Sequence, residues 1–219
     1  MIDIKAIIES SPELMHLLKI IQSFQLPDCW LCAGSLRNYI WDYLSHGDLR
    51  KSLYFSDIDV IFYDENISYQ QTLSIEKSIK EKYPHYNWEV RNQYYMHKHS
   101  PHRQRYSSSQ DAVSKFPEKC TAIAARLNED DQVEYYAPYG VEDIIHFKVS
   151  PTPYFLDNSD RLKVYQARMR RKNWQKVWPQ LSIEGIKQKK KAARDWSHPS
   201  HRDRSFQSLA ALWSIRNTI

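Results

Sequence analysis

Two aspartates stand two apart in Ser56-Asp57-Ile58-Asp59-Val60. Asp57 to Tyr63 is rich in β-branched and aromatic residues and is expected to form a strand. Residues i and i+2 of a strand share a face. Asp57 and Asp59 therefore point one way, and Ile58, Val60 and Phe62 point into a core. Two carboxylates on one face repel each other unless a cation lies between them. Hard oxygen ligands suit Mg2+ (or Mn2+), which keeps several waters and takes phosphate oxygens as further ligands. The pair thus has the layout for metal-assisted phosphoryl transfer. Taken alone, it reads better as two solvated aspartates at a strand edge.

A second group lies upstream. Cys29 to Ala33 is a short apolar run, read as a buried strand, and Gly34-Ser35 follows it. Gly34 lets the backbone approach a ligand closely. Ser35 is placed at a helix N-terminus, where free N–H groups and the dipole favour a phosphate. Arg37, in the first turn, adds a charge-assisted contact to the same phosphate. The plainer reading of Ser35 is a simple N-cap.

The elements that must position these residues follow from periodicity. Ser10-Ser11-Pro12-Glu13 starts a helix, with Ser as cap and Pro early. Leu14, Leu17, Leu18 and Ile21 continue it at helical spacing. Leu36, Tyr39, Ile40, Tyr43 and Leu44 form the apolar face of a second helix, stopped at Gly47. Residues 68–82 suit a helix ended by Pro84, and Trp88 to Gln93 a strand. Residues 98–110 read as a polar, basic loop. Thr121 to Leu127 is ambiguous between helix and strand, Val133 to Tyr136 reads as a strand, and Asp160 to Trp178 as one basic helix. The fold class expected is α+β, a small mixed sheet flanked by helices. One domain over residues 1–182 carries the chemistry, and residues 183–219 form a basic helical C-terminal extension.

The 219 residues are enough for one sizeable core. Net charge is +5 but unevenly spread. Residues 161–219 hold 15 Lys/Arg against 3 Asp/Glu, whereas the rest holds 16 against 23. A basic tail on an acidic body points to polyanion contact, RNA among the candidates, or to a solvated tail. Three cysteines, an odd and small number, argue against a disulfide framework. Cys29 and Cys32 have C-x-x-C spacing, but on a strand they face opposite ways and are read as core. No signal sequence or membrane-length apolar run is visible, so a soluble, cytoplasmic protein is expected.

The combination of Gly34-Ser35 with Arg37-Asn38, and Asp57-Ile58-Asp59 on an adjacent strand, resembles the signature of the polymerase-β-like nucleotidyltransferase superfamily. The likeness extends to an uncharacterised bacterial nucleotidyltransferase family over about residues 28–182. It rests on Trp30 to Asn38, Trp41-Asp42, Trp88 to Gln93, Met96-His97, Phe116-Pro117-Glu118 with Thr121, Ala137 to Gly140 with Asp143, and Lys172-Asn173-Trp174 with Trp178-Pro179. A fainter likeness is to the head domains of CCA-adding enzymes and poly(A) polymerases, without a Glu-Asp-x-x-Arg base-reading motif.

The resemblance implies transfer of a nucleoside monophosphate from a nucleoside triphosphate to a hydroxyl, with pyrophosphate released. Gly34, Ser35, Arg37 and Asn38 would then hold nucleotide, and Asp57 and Asp59 the metal. It also implies a third carboxylate on a neighbouring strand. Glu89 is chosen, with Glu134 as the alternative. Arg168 and Lys172 lie near one helical face with Arg161 and are assigned to the nucleotide, facing its triphosphate or an acceptor polyanion; an exposed basic helix is the rival reading. His97 is read as a wall of the site, whereas His99 and His102 are read as surface residues. Two other roles stay open. One is a catalytically degenerate nucleic-acid-binding protein, and the other is a toxin–antitoxin component.

Overall fold

The computed structural model describes residues 2–47, 57–97 and 105–185. The expected basic tail beyond residue 185, Ser56, and the loop residues Lys98, His99 and His102 lie outside the described residues.

Helix α1 (Ile4–Glu9) and helix α2 (Pro12–Gln22) open the chain. Ser11 caps α2 by accepting from Leu14 N–H, with Pro12 at the first position, as the sequence suggested. Strand β1 (Trp30–Cys32) leads into helix α3 (Gly34–His46), which stops at the left-handed Gly47. Strand β2 (Ile58–Phe62) connects through helix α4 (Tyr69–Lys82) to strand β3 (Trp88–Asn92), and the two strands pair in parallel. A parallel pair needs such a crossover. A capping box between Ser68 and Gln71 fixes the start of α4.

Short helices α5 (Gln93–Met96) and α6 (Ser109–Ser114) follow, so the expected 98–110 loop ends sooner than its composition suggested. The ambiguous segment resolves into strand β4 (Ala124–Leu127), antiparallel to both β1 and β5 (Val133–Tyr136). The sheet order is β3-β2-β1-β4-β5.

Alternation divides the side chains of this sheet. Leu31, Ile58, Val60, Phe62, Trp88, Val90, Ala125 and Leu127 join the main core beneath α1–α4. Trp30, Cys32, Ile61 and Ala124 face the other way, into a smaller core closed by Val113 and Phe116. Cys29 and Cys32 are free thiols, as expected.

The remainder contains helix α7 (Glu142–Ile145), strand β6 (Lys148–Val149), helix α8 (Pro153–Leu156), helix α9 (Ser159–Arg171), helix α10 (Trp174–Val177) and strand β7 (Ser182–Ile183). β6 and β7 pair in parallel, so regular structure runs across the 182/183 boundary expected from composition.

The expected single helix from Asp160 to Trp178 is broken. Lys172 leaves α9 in an extended conformation (φ −74°, ψ 124°). The break turns Trp174 and Trp178 back onto Trp41, with ring centroids 5.9 and 5.0 Å away. Trp178 Nε1 also donates to Asp42 Oδ1 at 2.8 Å. Burying two indoles is worth more than the few helical hydrogen bonds forgone.

Candidate active site

The site begins where β1 turns into α3. Ala33 takes φ 55° and ψ −123°, a conformation costly to a residue with a Cβ. As the N-cap of α3 it supplies no side-chain hydrogen bond. The N-terminus of this 13-residue helix is therefore left without a side-chain cap, a property that suits an incoming anion.

Gly34 is the first helical residue. A Cβ built there would lie 3.5 Å from Asp59 Oδ2, 3.7 Å from Arg37 Nη2 and 3.9 Å from Asn38 Nδ2. Glycine thus leaves a gap between a carboxylate and a guanidinium.

Ser35 is not an N-cap. It sits inside the helix, buried, and its hydroxyl donates to Asp57 O and accepts from Asp59 N–H, both at 3.0 Å. Its one proton and one lone pair are committed to the backbone that carries the two aspartates. The Gly-Ser turn and the Asp-x-Asp strand are therefore one mechanical unit.

Parallel pairing of β2 with β3 sets Asp59 directly beside Glu89. Asn87, just before β3, donates its side-chain amide to Asp57 Oδ1, and its carbonyl accepts from Ile58 N–H at 2.8 Å. Glu89 is nearly buried, with Oε2 3.8 Å from Arg91 Nη2.

The Asp59 carboxyl is pushed up to about 7. Burial is the main cause, and the neighbouring charges of Glu89 and Asp57 add to it, while Arg37 and Arg168 pull the other way. Among the described residues no group of three or more His, Cys, Asp or Glu side chains is placed to hold a metal ion by itself. A Mg2+ ion that shares its shell with waters and substrate phosphates needs only one or two protein carboxylates, and Asp57 and Asp59 fit that demand.

Glu134 lies elsewhere. Two strands separate β5 from β2, and Glu134 pairs with Arg126 at 2.8 Å. Both line a hollow of about 510 Å3 between α2 and the β4–β5 hairpin, away from Asp59.

Opposite the acids stand three cations. Arg37 is buried; its Nη1 donates to Thr121 Oγ1 at 2.6 Å, and Nε and Nη2 to Asn38 Oδ1 at 3.2 and 2.8 Å. Its guanidinium lies 4.2 Å from the Trp174 ring centroid and 4.9 Å from that of Trp41. Burial lowers the Arg37 pKa. Arg168 Nε donates to Glu118 Oε1 at 2.6 Å. Lys172 is lowered first by burial, then by the adjacent Arg168 and Arg37.

So Arg168 and Lys172 join Arg37, and the break at Lys172 helps bring Trp174 beneath that arginine. Arg161 does not join them. Its guanidinium stacks 3.6 Å from the Tyr154 ring centroid, and Nη1 donates to Tyr154 O. His97 caps α5 beyond the end of β3 opposite Glu89, with Nδ1 3.0 Å from Tyr94 O.

Four contributors went unassigned in the sequence. Asn87 had no signal beyond its place before a strand. Glu118, Thr121 and Trp174 stood in recognisable motifs, but nothing local assigned them a task.

A nucleotidyltransferase family model matches residues 19–183. No curated protein matches the chain. Among solved structures, one described as an NMR structure revealing a CCA-adding enzyme head domain is 50% identical, with TM-score 0.77. That match covers 83% of this chain and 94% of the other. An apo CCA-adding enzyme shares the fold at 14% identity and TM-score 0.50, covering 84% of this chain but only 43% of that longer one. With three quarters of its residues inside the family model, this chain belongs to the nucleotidyltransferase family and has the fold of a CCA-adding enzyme head domain.

Proposed function

We propose that this protein transfers a nucleoside monophosphate from a nucleoside triphosphate to an acceptor hydroxyl and releases pyrophosphate. Mg2+ or Mn2+ bound by Asp57 and Asp59, with Glu89 beside them, is the metal of this reading. The observation that carries it is the opposition of charge across Gly34. On one side is Asp59, half-buried and beside the like charges of Glu89 and Asp57, and on the other is buried Arg37, with Arg168 and Lys172 next to it.

A bound divalent cation would neutralise the carboxylates and polarise phosphate oxygens. The protein's own groups do the rest. The uncapped start of α3, Arg37, Arg168 and Lys172 hold the phosphates, and the Trp174 ring and Asn38 keep Arg37 in place. Ser35 and Asn87 fix the two aspartates. Glu89 binds the metal group or accepts the proton of the attacking hydroxyl. The acceptor oxygen bonds to the α-phosphorus as the bond to the β-phosphate bridge breaks. The electron pair leaves with pyrophosphate, against the cations. Positioning and charge stabilisation supply most of the rate. RNA is the acceptor class favoured by the basic residues of 161–219.

The test uses each α-labelled nucleoside triphosphate with Mg2+ or Mn2+ and pools of RNA, protein and small hydroxyl compounds. Label transfer with equimolar pyrophosphate is expected from the wild type, and background from Asp57→Ala and Asp59→Ala. Transfer that survives both substitutions refutes the site. No transfer by the wild type to any pool refutes the activity.

A further inference from the structure

Glu118 is the most deeply buried carboxylate in this part of the protein, at 0% exposure. Hydrogen bonds to the next segment hold it there. Lys119 N–H donates to Ser150 O, Thr152 N–H to Pro117 O, and Thr152 Oγ1 to Phe116 O. Its Oε1 accepts from Arg168 Nε, while Oε2 has no hydrogen-bond partner among the described residues.

Arg–carboxylate pairs frequently use two parallel N–H bonds of the guanidinium. Here Arg168 is attached through Nε. Among the described residues neither of its Nη groups, nor the Lys172 ammonium, has a hydrogen-bond acceptor. Arg168 and Lys172 sit with Arg37 around the Trp174 ring, and the Glu118 charge acts on both Arg37 and Lys172, as does that of Asp59. A buried carboxylate with an unsatisfied oxygen is costly to keep. Its place beside donors left open to a ligand suggests what offsets that cost.

We propose that Glu118 is a resident counter-ion of the phosphate pocket: it aims Arg168 through Nε and holds down the affinity of Arg37, Arg168 and Lys172 for pyrophosphate, so that the product leaves. The inference rests on the nucleotidyl-transfer reading. Without Glu118, the three cations would face the leaving group with Asp59, itself engaged with the metal in this reading, as the remaining negative charge acting on them. Coulomb attraction between partly buried charges is strong enough for that to hold pyrophosphate.

The experiment measures binding of pyrophosphate and of tripolyphosphate by titration calorimetry, without nucleotide, over a series of salt concentrations. Glu118→Gln keeps an acceptor for Arg168 Nε and removes the charge. It should bind both anions at least tenfold tighter than wild type, with a steeper salt dependence. Glu118→Asp keeps the charge and should stay near wild-type affinity even if its Tm falls. In steady-state transfer, Glu118→Gln should lower KM for the nucleotide and kcat together, a split that a loss of structure would not produce. Should that variant fail to fold, Glu118→Gln/Arg168→Gln compared with Arg168→Gln must show the same tightening.

Equal or weaker anion binding by Glu118→Gln overturns the counter-ion role and leaves the nucleotidyl-transfer reading standing. No binding of either anion by wild type or variant shows that the cation cluster is not a phosphate site, and both ideas fall.

Discussion

Replacing Asp59 by Asn should stabilise the metal-free protein at high pH and barely affect it at low pH. In the folded protein Asp59 holds its proton up to about 7, whereas in the unfolded chain a carboxyl releases it near 4. Between those values the folded state binds the extra proton, so this group's contribution to stability falls as pH rises through the window and is gone above it. The shift of about three pH units corresponds to about 4 kcal/mol at ~1.4 kcal/mol per unit. Asp59 is half-buried and opens on the pocket, so water and local relaxation reduce that to roughly 2–4 kcal/mol.

Asn mimics the neutral acid and cannot be charged. The variant should therefore exceed wild type by about 2–4 kcal/mol at pH 8, about 4–16 °C in Tm for a protein of this size. The gap should shrink to below about 1 kcal/mol at pH 4.5. Thermal or urea unfolding in a chelator, at both pH values, measures it. Adding Mg2+ at pH 8 should raise the wild-type Tm and leave the variant unmoved. A variant no more stable than wild type at pH 8, or a gap independent of pH, would show that neither burial nor the neighbouring carboxylates penalise the Asp59 charge.

Three further outcomes are expected. Glu89→Gln should lower transfer by about 10²-fold or more, the usual scale for an acid–base group, while Glu134→Gln leaves turnover unchanged and forfeits at most ~1 kcal/mol of a surface ion pair; the reverse result would move the third carboxylate. Gly34→Ala should fold with an unchanged or slightly higher Tm, because its Cβ meets neighbours only at 3.5 Å and beyond, yet lose nucleotide affinity in a binding titration. Ser35→Ala should lose about 1–3 kcal/mol, from two hydrogen bonds and a backbone group left unpaired. Its kcat should fall more than its KM rises, because the Asp57–Asp59 segment comes loose from α3; an intact kcat with only KM raised would point instead to a direct phosphate contact.

Much of the fold was legible because local rules and tertiary packing agree. Ser11-Pro12 caps α2, Gly47 ends α3, and Ile58, Val60 and Phe62 alternate into the core. Where local signals were silent, reading stopped. Thr121 to Leu127 has no clear period, and only pairing with β1 and β5 makes it a strand. The basic run after Asp160 is helical by pattern, but Trp174 and Trp178 break it because their burial against Trp41 depends on a residue over 130 positions away. Glu89 was preferred to Glu134 from the sequence, but both were strand glutamates whose neighbours the sequence did not give. Strand order alone separates them, since parallel pairing sets Glu89 beside Asp59 and puts Glu134 at the opposite edge.

What the sequence by itself determined is the pair of aspartates on one strand face, the glycine before a helix start, and through them the family. These depend on residue type and short spacing. The tertiary structure decided which charges meet. It turned Ser35 from a cap into a brace for Asp57 and Asp59, and it brought Arg37, Arg168 and Lys172 together around Glu118 and Trp174. Electrostatics acts through space over a few ångströms, and no local pattern in the chain records which distant segments will come that close.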